Sequence, residues 1–374
     1  MELKYVVLDV GKRFVPMAFR QWVRLHFSLK KFDAARRCAL DSATLSTGES
    51  FPGSKYKLGI IRECTHAHRH YVNACRELKV SYVVLDLLAD DWVSRFKESD
   101  CDAYLVWPSS NGTMIKSGFD MRLKFLEDDM GKLLYPTWKD CWLTEYKPRL
   151  RDWMLMHNVP HPKSWVFYDE DEALEFCRTA PLPIVQKTPT GASGSGVNII
   201  RSRSKLIKVV KQVMHKGIAT RCFEPWDKQR GVLFLQEFLS GVKEWRMVRI
   251  GDSFFGYRKE VGEDGKGSGS HKWSWLDPGE KRLDMLKFVT DIENSRSMDV
   301  DLFELSDGTL LVNEYQTVFG CCTPAIQMKV NDVEGRYLHK DGKWIFESGE
   351  FSMNHCCNMR VKELIRQLDG RETQ

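Results

Sequence analysis

The chain has 374 residues, of which 43% are apolar and 29% charged, a composition typical of a folded soluble protein with two or three domains. Its apolar runs are much shorter than the roughly eighteen residues of a membrane-spanning helix, and its start lacks a long apolar stretch, so we expect neither a membrane span nor a signal peptide. A net charge of +5 does not indicate nucleic-acid binding, but it suits anionic substrates such as nucleotides.

The first 54 residues are interpreted as an N-terminal extension of unknown role. A strand at Tyr5–Asp9 precedes an amphipathic helical stretch around Phe19–Phe27, and the turn-rich residues 46–55 are typical of a linker. Between residues 55 and 145, apolar strands alternate with helical segments, beginning with KLGII, HRHYVNACRELK and SYVVLDLL. This alternation predicts an α/β domain with a parallel sheet. We expect a cytoplasmic protein whose eleven cysteines stay reduced.

Two further units follow. In residues 146–239, a helical segment stopped by Pro160 and Pro162 leads into strands and helices around a glycine loop. Residues 240–374 consist mostly of strand patterns and end with a hairpin and a helix at Arg360–Leu368, which we expect to pack on this last unit.

The last unit contains a pair of acidic residues. Asp301 in VDLFEL and Glu314 in LVNEYQ flank a glycine turn between two short apolar runs, the pattern of a two-stranded hairpin. On adjacent strands both carboxylates can point at one spot, with Gln316 on the same strand face as Glu314. Oxygen ligands of this kind suit Mg²⁺, although acidic residues also flank many hairpin turns that bind nothing.

A strand that ends in Lys187 enters a loop with glycines at 191, 194 and 196 and serines at 193 and 195, and a second strand begins at Val197. Glycines let backbone N–H groups approach phosphate oxygens closely, and the lysine supplies a positive charge. The segment lacks the lysine and the helix of a P-loop. It is interpreted as a flap over phosphates; taken alone, an exposed hairpin is also compatible.

An apolar strand ends near Gln236–Leu239, where a linker between two sheets can offer backbone groups to an adenine ring. Glu244 follows and can accept hydrogen bonds from ribose hydroxyls. For these residues in isolation, two plain β-strands remain the simpler interpretation.

Further polar clusters each allow more than one interpretation. His66, His68 and Arg69 follow the first strand of the α/β domain, where substrate contact and a solvent-exposed helix start both remain open. Zinc is not favoured there, because no third ligand stands at a recognisable spacing. Lys272 ends the glycine- and serine-rich segment 261–272, which is either a cover for the substrate or a surface loop. The Cys321–Cys322 and Cys356–Cys357 pairs are interpreted as buried thiols.

Residues 55–325 resemble the ATP-grasp superfamily, because its motifs occur in the same order and at matching spacings. Lys147, before the helix that ends HNVPHP, resembles the first ATP lysine, and Lys187 resembles the second. Asp301, Glu314 and Gln316 match the metal triplet D…E-x-N, with glutamine in place of asparagine. The remaining matches are the flap with Gly191, Ser193, Gly194 and Gly196, the adenine hinge with Glu237, Phe238 and Leu239, the ribose acid Glu244, and Arg258 as the catalytic basic residue facing the transferred phosphoryl group.

The resemblance implies an ATP-grasp fold, with an α/β pre-grasp domain at 55–145 and two α+β subdomains at 146–239 and 240–374 that clamp ATP. It points to the carboxylate–amine ligase branch, which includes ribosomal-protein glutamate ligase and D-alanine–D-alanine ligase. In that reaction ATP phosphorylates a carboxylate, and an amine then displaces phosphate from the acyl phosphate. The expected cofactors are ATP and Mg²⁺, as two ions, with Mn²⁺ as an alternative. Asp299 stands where D-alanine–D-alanine ligases carry an arginine, so their substrate chemistry is not carried over.

Two other functions stay open at this stage. A phosphotransferase acting on a hydroxyl group would share every nucleotide-binding residue with a ligase. A regulatory nucleotide-binding module is less favoured, because it would have no need for both metal carboxylates. The expected partners are ATP and a small carboxylate and amine, without nucleic acid or membrane, and a homodimer is left open.

Overall fold

The structure, a computed structural model, describes residues 42–108, 112–191, 194, 196–219, 226–260, 272–317 and 329–372, together with residues 19, 22 and 23. The predicted strand at Tyr5–Asp9 lies outside these ranges, as do residues 261–271 and the Cys321–Cys322 pair. Within the described ranges, no helix combines the length and the apolarity needed to cross a membrane.

The first unit is an α/β domain with a five-stranded sheet in the order β1-β3-β2-β4-β5. Strands β2 to β5 run parallel, as the alternating sequence pattern predicts, whereas the short β1 runs antiparallel to β3. Apolar clusters fill both faces of the sheet. The elements are β1 (Gly48–Glu49), β2 (Lys57–Ile61), α1 (Arg69–Leu78), β3 (Ser81–Leu85), α2 (Trp92–Glu98), β4 (Ala103–Leu105), α3 (Thr113–Lys124), β5 (Leu133–Tyr135) and α4 (Trp138–Leu143).

The predicted domain boundary at residue 54 differs from the structure. Residues 48 and 49 form strand β1 of the pre-grasp sheet, and Ala43 is fully buried in the same core. The turn-rich composition of residues 46–55 suggested a linker, but two backbone pairings and one buried side chain attach this segment to the domain. The first domain therefore begins at or before residue 43.

The second unit is a four-stranded antiparallel sheet in the order β6-β11-β7-β8, covered by two helices. The chain enters it through helix α5, whose apolar side packs on the third unit instead. The elements are α5 (Lys147–Met156), β6 (Ser164–Phe167), α6 (Glu170–Thr179), β7 (Ile184–Lys187), β8 (Val197–Ile200), α7 (Arg203–Lys211), the pair β9 (Ile218–Ala219) and β10 (Lys228–Gln229), and β11 (Leu233–Glu237).

The third unit is an eight-stranded sheet with the path β16-β15-β12-β13-β18-β17, to which β14 and β19 attach at β13 and β18. One face packs on α5 and α8 through a large apolar cluster, and the other face carries the acidic residues. The elements are β12 (Lys243–Ile250), β13 (Ser253–Lys259), β14 (Trp273–Ser274), α8 (Gly279–Asp291), β15 (Ser297–Glu304), β16 (Leu310–Gln316), β17 (Lys329–Val330), β18 (Val333–Lys340), β19 (Lys343–Ser348) and α9 (Cys357–Glu372).

Helix α9 packs on two units. Met359 near its start lies in a cluster with Val248, Ile250 and Phe255 of the third unit, as the sequence suggested. The predicted hairpin β18–β19 extends the third sheet, but Val361, Leu364 and Leu368 of α9 lie in the core of the first unit, beside α1. Amphipathic periodicity predicts that a helix has a buried face, but it does not identify the partner of that face. The last residues of the chain thus complete the core of the first domain.

Candidate active site

The predicted carboxylate hairpin is formed by β15 and β16. Asp301 lies directly opposite Glu314, and Asp299 lies opposite Gln316, so all four side chains share one face of the sheet. A bulge follows Asp301, and Asn313 is the extra residue on β16. The bulge allows Val312 to enter the core while its near neighbours Asn313 and Glu314 remain available to the site.

Asp301 is fully buried and paired with two cations. Arg246 lies opposite it on β12 and donates from Nε and Nη2 to its two oxygens at 3.0 and 3.1 Å. Lys259 donates to Oδ2 of Asp301 and, at 2.7 Å, to Oε1 of Glu244. Burial by itself raises the pKa of Asp301, but Arg246 and Lys259 outweigh it and hold that pKa below its usual range. The carboxylate is therefore kept charged.

The neighbouring Asp299 behaves oppositely. It is also fully buried, and burial raises its pKa well above the usual range even though Arg246 lies 2.9 Å away. Gln316 donates from Nε2 to Oδ2 of Asp299 at 3.0 Å. When two carboxylates lie this close to one guanidinium, their mutual repulsion favours the ionisation of only one of them, and here that one is Asp301.

Arg258, the predicted catalytic residue, lies on the other face of the sheet from these carboxylates. It is opposite Trp245, whose indole belongs to the apolar core, and its guanidinium binds Glu260 at 2.9 and 3.0 Å. Successive side chains of a strand point to opposite faces, so the next residue, Lys259, is the cation on the carboxylate face. Arg258 thus stands on the same strand as Lys259, but the structure does not bring it together with the acidic residues.

Lys187, the predicted second ATP lysine, reaches the bulge. It ends β7, is 7% exposed, and donates from Nζ to Oδ1 of Asn313 at 2.9 Å. The pKa of Lys187 is lowered to about 8, chiefly by burial and also by Lys147, whereas Glu314 and Glu244 act against the shift. The second and third units are thus joined at this point by a buried ammonium group.

Lys147, the predicted first ATP lysine, is buried at the start of α5. Its Nζ donates to the carbonyl oxygen of Gly191 at 2.9 Å, so it contacts the glycine flap directly. Lys147, Gly191, Glu314 and Gln316 all line one pocket, together with Glu145, Tyr146, Leu150 and Tyr315. The first lysine, the flap and two of the three predicted metal ligands therefore meet in one place.

The base of the flap is tightly held. Thr188 donates its backbone N–H to the carbonyl oxygen of Gly196 at 3.0 Å, and the side-chain amide of Gln229 binds both backbone groups of Thr190 at 2.8 and 2.7 Å. Gly191, Gly194 and Gly196 all have positive φ angles of 141°, 67° and 79°. Ser193 lies outside the described residues.

Gly196→Ala is expected to destabilise the flap more than an ordinary left-handed glycine replacement would. A Cβ at residue 196 would lie 2.3 Å from Oγ1 of Thr188, in addition to the backbone strain at φ +79°. Gly342 has φ +75° and open space around its Cβ position, so Gly342→Ala isolates the strain, which amounts to about 1–2 kcal/mol. Thermal unfolding of both variants checks the difference; equal losses would contradict the close approach at Gly196.

The predicted adenine hinge follows β11. Glu237 ends this strand and pairs twice with Lys163, accepting the backbone N–H at its Oε1 at 2.7 Å and donating its own N–H to the carbonyl oxygen at 2.8 Å. Phe238 and Leu239 are half-buried, and the guanidinium of Arg201 lies 5.9 Å from the Phe238 ring. The hinge thus lies between the second and third units. The predicted ribose acid Glu244 is held by Lys259.

The predicted substrate residues fall in two places. His66, His68 and Arg69 lie at the carboxyl end of β2, where His68 is fully buried and Arg69 donates to the carbonyl oxygen of His66 at 3.0 Å. Lys272 lies on the far side, with an exposed side chain and a carbonyl oxygen that accepts the N–H of Glu260 at 2.9 Å.

Several residues of the site were missed from the sequence. Asn313 directly precedes Glu314, but only a bulge brings both toward the site, and a bulge has no clear sequence signal. Lys259 and Arg246 stand in charged strand positions whose face depends on the register. Met247 and Val248 are both buried, although adjacent side chains of a strand point to opposite faces. The alternation alone therefore does not show which face Arg246 shares until the core face is known.

The oxygen donors fit a divalent cation of the Mg²⁺ type. Two carboxylates and one amide lie on one face, with Glu314 and Gln316 lining the pocket. In the described part of the chain, no group of three His, Cys, Asp or Glu side chains converges on one point, which agrees with a site that relies on water and phosphate for its other ligands. Asp301 can join only if Lys259 gives up its contact.

Several solved structures are similar to this chain. The chain is similar to D-alanine–D-alanine ligase from Bacillus anthracis, with a TM-score of 0.54 and 14% identity over 84% of this chain and 99% of that one. It is also similar to the biotin carboxylase domain of the Hydrogenobacter thermophilus 2-oxoglutarate carboxylase, in complex with MgADP, ADP and bicarbonate (TM-score 0.53, 15% identity, 76% and 67% covered). A third similar structure is the ADP complex of N5-carboxyaminoimidazole ribonucleotide synthetase, with a TM-score of 0.53 and 13% identity over 73% of this chain and 72% of that one.

No protein-family model matches the chain, and no curated protein matches it either. At these identities the structural likeness establishes the fold. The chain has the ATP-grasp fold, with mixed α/β content in several sheets, and the predicted fold class is confirmed.

Proposed function

We propose that this protein is an ATP-dependent carboxylate–amine ligase that forms an amide through an acyl phosphate. The observation that carries the proposal is the single pocket lined by Lys147, Gly191, Glu314 and Gln316, with Lys187 and Asn313 closing the junction of the two sheets behind it. Phosphoryl transfer to a bound acceptor requires such groups: a flap, a lysine and metal-type oxygens in one pocket, with a second buried lysine bonded to Asn313 of the same strand. One similar structure is named as a D-alanine–D-alanine ligase, a second holds MgADP and bicarbonate, and a third is a synthetase in complex with ADP, which supports this reaction class.

Each residue has a defined task in this proposal. Lys147 and Lys187 bind the phosphates of ATP, and the flap excludes water because an acyl phosphate hydrolyses when exposed. Glu237, Phe238 and Leu239 bind adenine, and Glu244 the ribose. Bound Mg²⁺, held by Glu314, Gln316 and Asp301, would neutralise the charge that develops on the phosphoryl group. A carboxylate oxygen of the substrate attacks the γ-phosphorus as ADP leaves, and the amine nitrogen then attacks the acyl carbon as phosphate leaves and the amine loses a proton.

The test is release of ADP and phosphate from Mg-ATP in the presence of pooled carboxylates and amines. Hydroxylamine serves as a trap, because it converts an acyl phosphate into a hydroxamate. Hydroxamate formation, or phosphate release that needs both a carboxylate and an amine, would support ligation and identify the substrate pool. ADP release without free phosphate, with the γ-phosphoryl group retained on a hydroxyl, would replace the proposal with a kinase.

Lys259→Met is expected to reduce turnover far more than Arg258→Met. Lys259 is on the face that carries the carboxylates, so it can stabilise charge on the transferred group, and losing such a group costs roughly a hundredfold or more. Arg258 binds Glu260 on the other face, so its loss should change turnover by less than about threefold. Hydroxylamine-trapped turnover of both variants, with circular dichroism to check folding, decides. A larger loss for Arg258→Met would restore that residue as the catalytic cation.

A further inference from the structure

Four histidines from two distant parts of the chain meet at the carboxyl edge of the first sheet. His66, His68 and His70 lie between β2 and the first turn of α1, and His355 lies two residues before α9. The rings of His70 and His355 have centroids 4.0 Å apart, and the ring of His70 lies 5.9 Å from that of Trp107. The nucleotide-binding residues discussed above do not include His70, Trp107 or His355.

Two of these imidazoles have an unpaired nitrogen. His68 is fully buried and accepts the backbone N–H of Glu63 at Nδ1 at 3.2 Å, while its Nε2 has no hydrogen-bond partner among the residues that the structure describes. His70 is 6% exposed, and its Nε2 likewise has no partner in the described ranges. A buried polar atom without a partner costs about 1–3 kcal/mol, so such atoms are expected where a ligand completes them.

The backbone around the cluster is held in an unusual conformation. Asn354, His355 and Cys356 are three successive non-glycine residues with φ angles of 49°, 56° and 66°, and His66 has φ 59°. Each costs about 1–2 kcal/mol, and such residues concentrate at binding sites. Asn354 anchors the turn, because its Nδ2 donates to Oε2 of Glu77 at 2.7 Å and its carbonyl oxygen accepts the N–H of Cys357 at 3.1 Å.

The charge around the cluster is positive. Burial, together with nearby cationic groups, lowers the pKa of His68 to about 3 and that of His70 to about 2, so both imidazoles are neutral and serve poorly as bases. The cations responsible include Arg62, Arg69 and Arg360. The carboxylate of Glu63 is engaged by the backbone N–H groups of residues 65 and 67.

Helices α1 and α9 both begin at the cluster, and helix N-termini also favour negative charge. A cluster of neutral imidazoles, a half-buried arginine and two helix starts is suited to an anion. The arginines beside the imidazoles would repel a metal ion.

One residue links this cluster to the candidate active site. Arg360 is fully buried in α9, its guanidinium lies 5.3 Å from the ring centroid of Trp107, and it donates to the carbonyl oxygen of Thr317 at 2.8 Å. Thr317 follows Gln316, which lines the pocket with Glu314. Through Trp107, Arg360 thus connects the histidine cluster with the end of the strand that carries the metal-type oxygens.

We infer that His68, His70 and His355, with Arg69, form a subsite for an anionic group, a carboxylate or a phosphate, carried by the substrate in addition to the carboxylate that reacts. The assignment of this anion to a ligase substrate rests on the proposed function, whereas anion binding itself does not. The neutral imidazoles donate hydrogen bonds to the anion, and Arg69 supplies the charge. The substrate class is then an acid with two anionic groups.

The experiment is NMR of the full chain labelled with ¹³C at the histidine Cε1, titrated separately with succinate and with inorganic phosphate while Mg-ADP is present. The ten histidine signals are assigned by single His→Gln variants. Saturable shifts of the His68, His70 and His355 signals, with His215 and His339 unchanged, are expected with at least one anion. Succinate alone would indicate a carboxylate and phosphate alone a phosphate group. Absence of shifts up to roughly 50 mM, beyond even a weak millimolar affinity, would overturn the subsite.

Variants separate binding from packing. His70→Gln and His355→Gln are expected to weaken the better anion at least tenfold, whereas His339→Gln, in the β18–β19 hairpin, should leave it unchanged. Unaltered affinity in both cluster variants would also overturn the subsite. Calorimetry with Mg-ADP alone distinguishes the two proposals: anion shifts without nucleotide binding would remove the ligase proposal and keep the subsite, and nucleotide binding without shifts would do the reverse.

Discussion

Glu314→Ala is expected to lower ATP turnover at least about a hundredfold while leaving the melting temperature within a few degrees of that of the wild type. Glu314 lines the pocket on the face away from the apolar core, whereas its neighbours Val312 and Tyr315 anchor the strand in that core. Removing one of two carboxylates for Mg²⁺ deletes charge stabilisation worth several kcal/mol in the transition state. Hydroxylamine-trapped ADP release and thermal unfolding measure the two quantities.

The matched control for this variant is Glu347→Ala. Glu347 is exposed on β19, paired with Arg336 at 2.9 Å and remote from the pocket, so its loss should change neither quantity appreciably. Wild-type turnover in Glu314→Ala would remove Glu314 from the metal site. A large fall in melting temperature would instead reveal a structural role for the carboxylate.

Lys187 is expected to make nucleotide affinity depend on pH. Its pKa of about 8 means that the ammonium loses its proton between pH 7 and 9 in the nucleotide-free protein, and a bound phosphate favours the charged form. Mg-ADP affinity should therefore be nearly constant below pH 7 and should fall by up to tenfold per pH unit well above pH 8. Calorimetric titrations across this range measure the slope, and Lys187→Arg, which stays charged, should flatten it.

The lowered pKa of Lys187 also makes the free energy of unfolding depend on pH. Because its folded-state pKa is lowered from 10.5, the unfolded chain binds more protons between pH 8 and 10.5, and this group's contribution to the unfolding free energy rises with pH there. Lys187→Met should remove this rise and weaken Mg-ADP about tenfold to a hundredfold through the lost charged contact. An affinity that is independent of pH in the wild type, or unchanged in Lys187→Met, would exclude Lys187 from the phosphate site.

The sequence predicts the site only where local patterns define it. The strand before the flap ends at Lys187, and the turn at Gly308 places Asp301 and Glu314 on paired strands; both features are local, and the structure has both. Which cation faces the carboxylates is not local, because it depends on the pairing of β13 with β12 and on the core beneath. For this reason the motif predicted Arg258 on this strand, whereas Lys259 is the residue that binds Asp301. The histidine cluster shows the same limit, since His355 lies 285 positions beyond His70.

The position of α9 has a consequence for how the protein is made. Val361, Leu364 and Leu368 fill the core against α1, so the first unit has an incomplete core until helix α9 has been translated. Domains usually fold as they emerge from the ribosome, but here the N-terminal sheet must wait with an apolar face uncovered while the two ATP-clamping units are translated. The first unit can therefore complete its core only after helix α9 has been made, and deleting α9 removes part of that core.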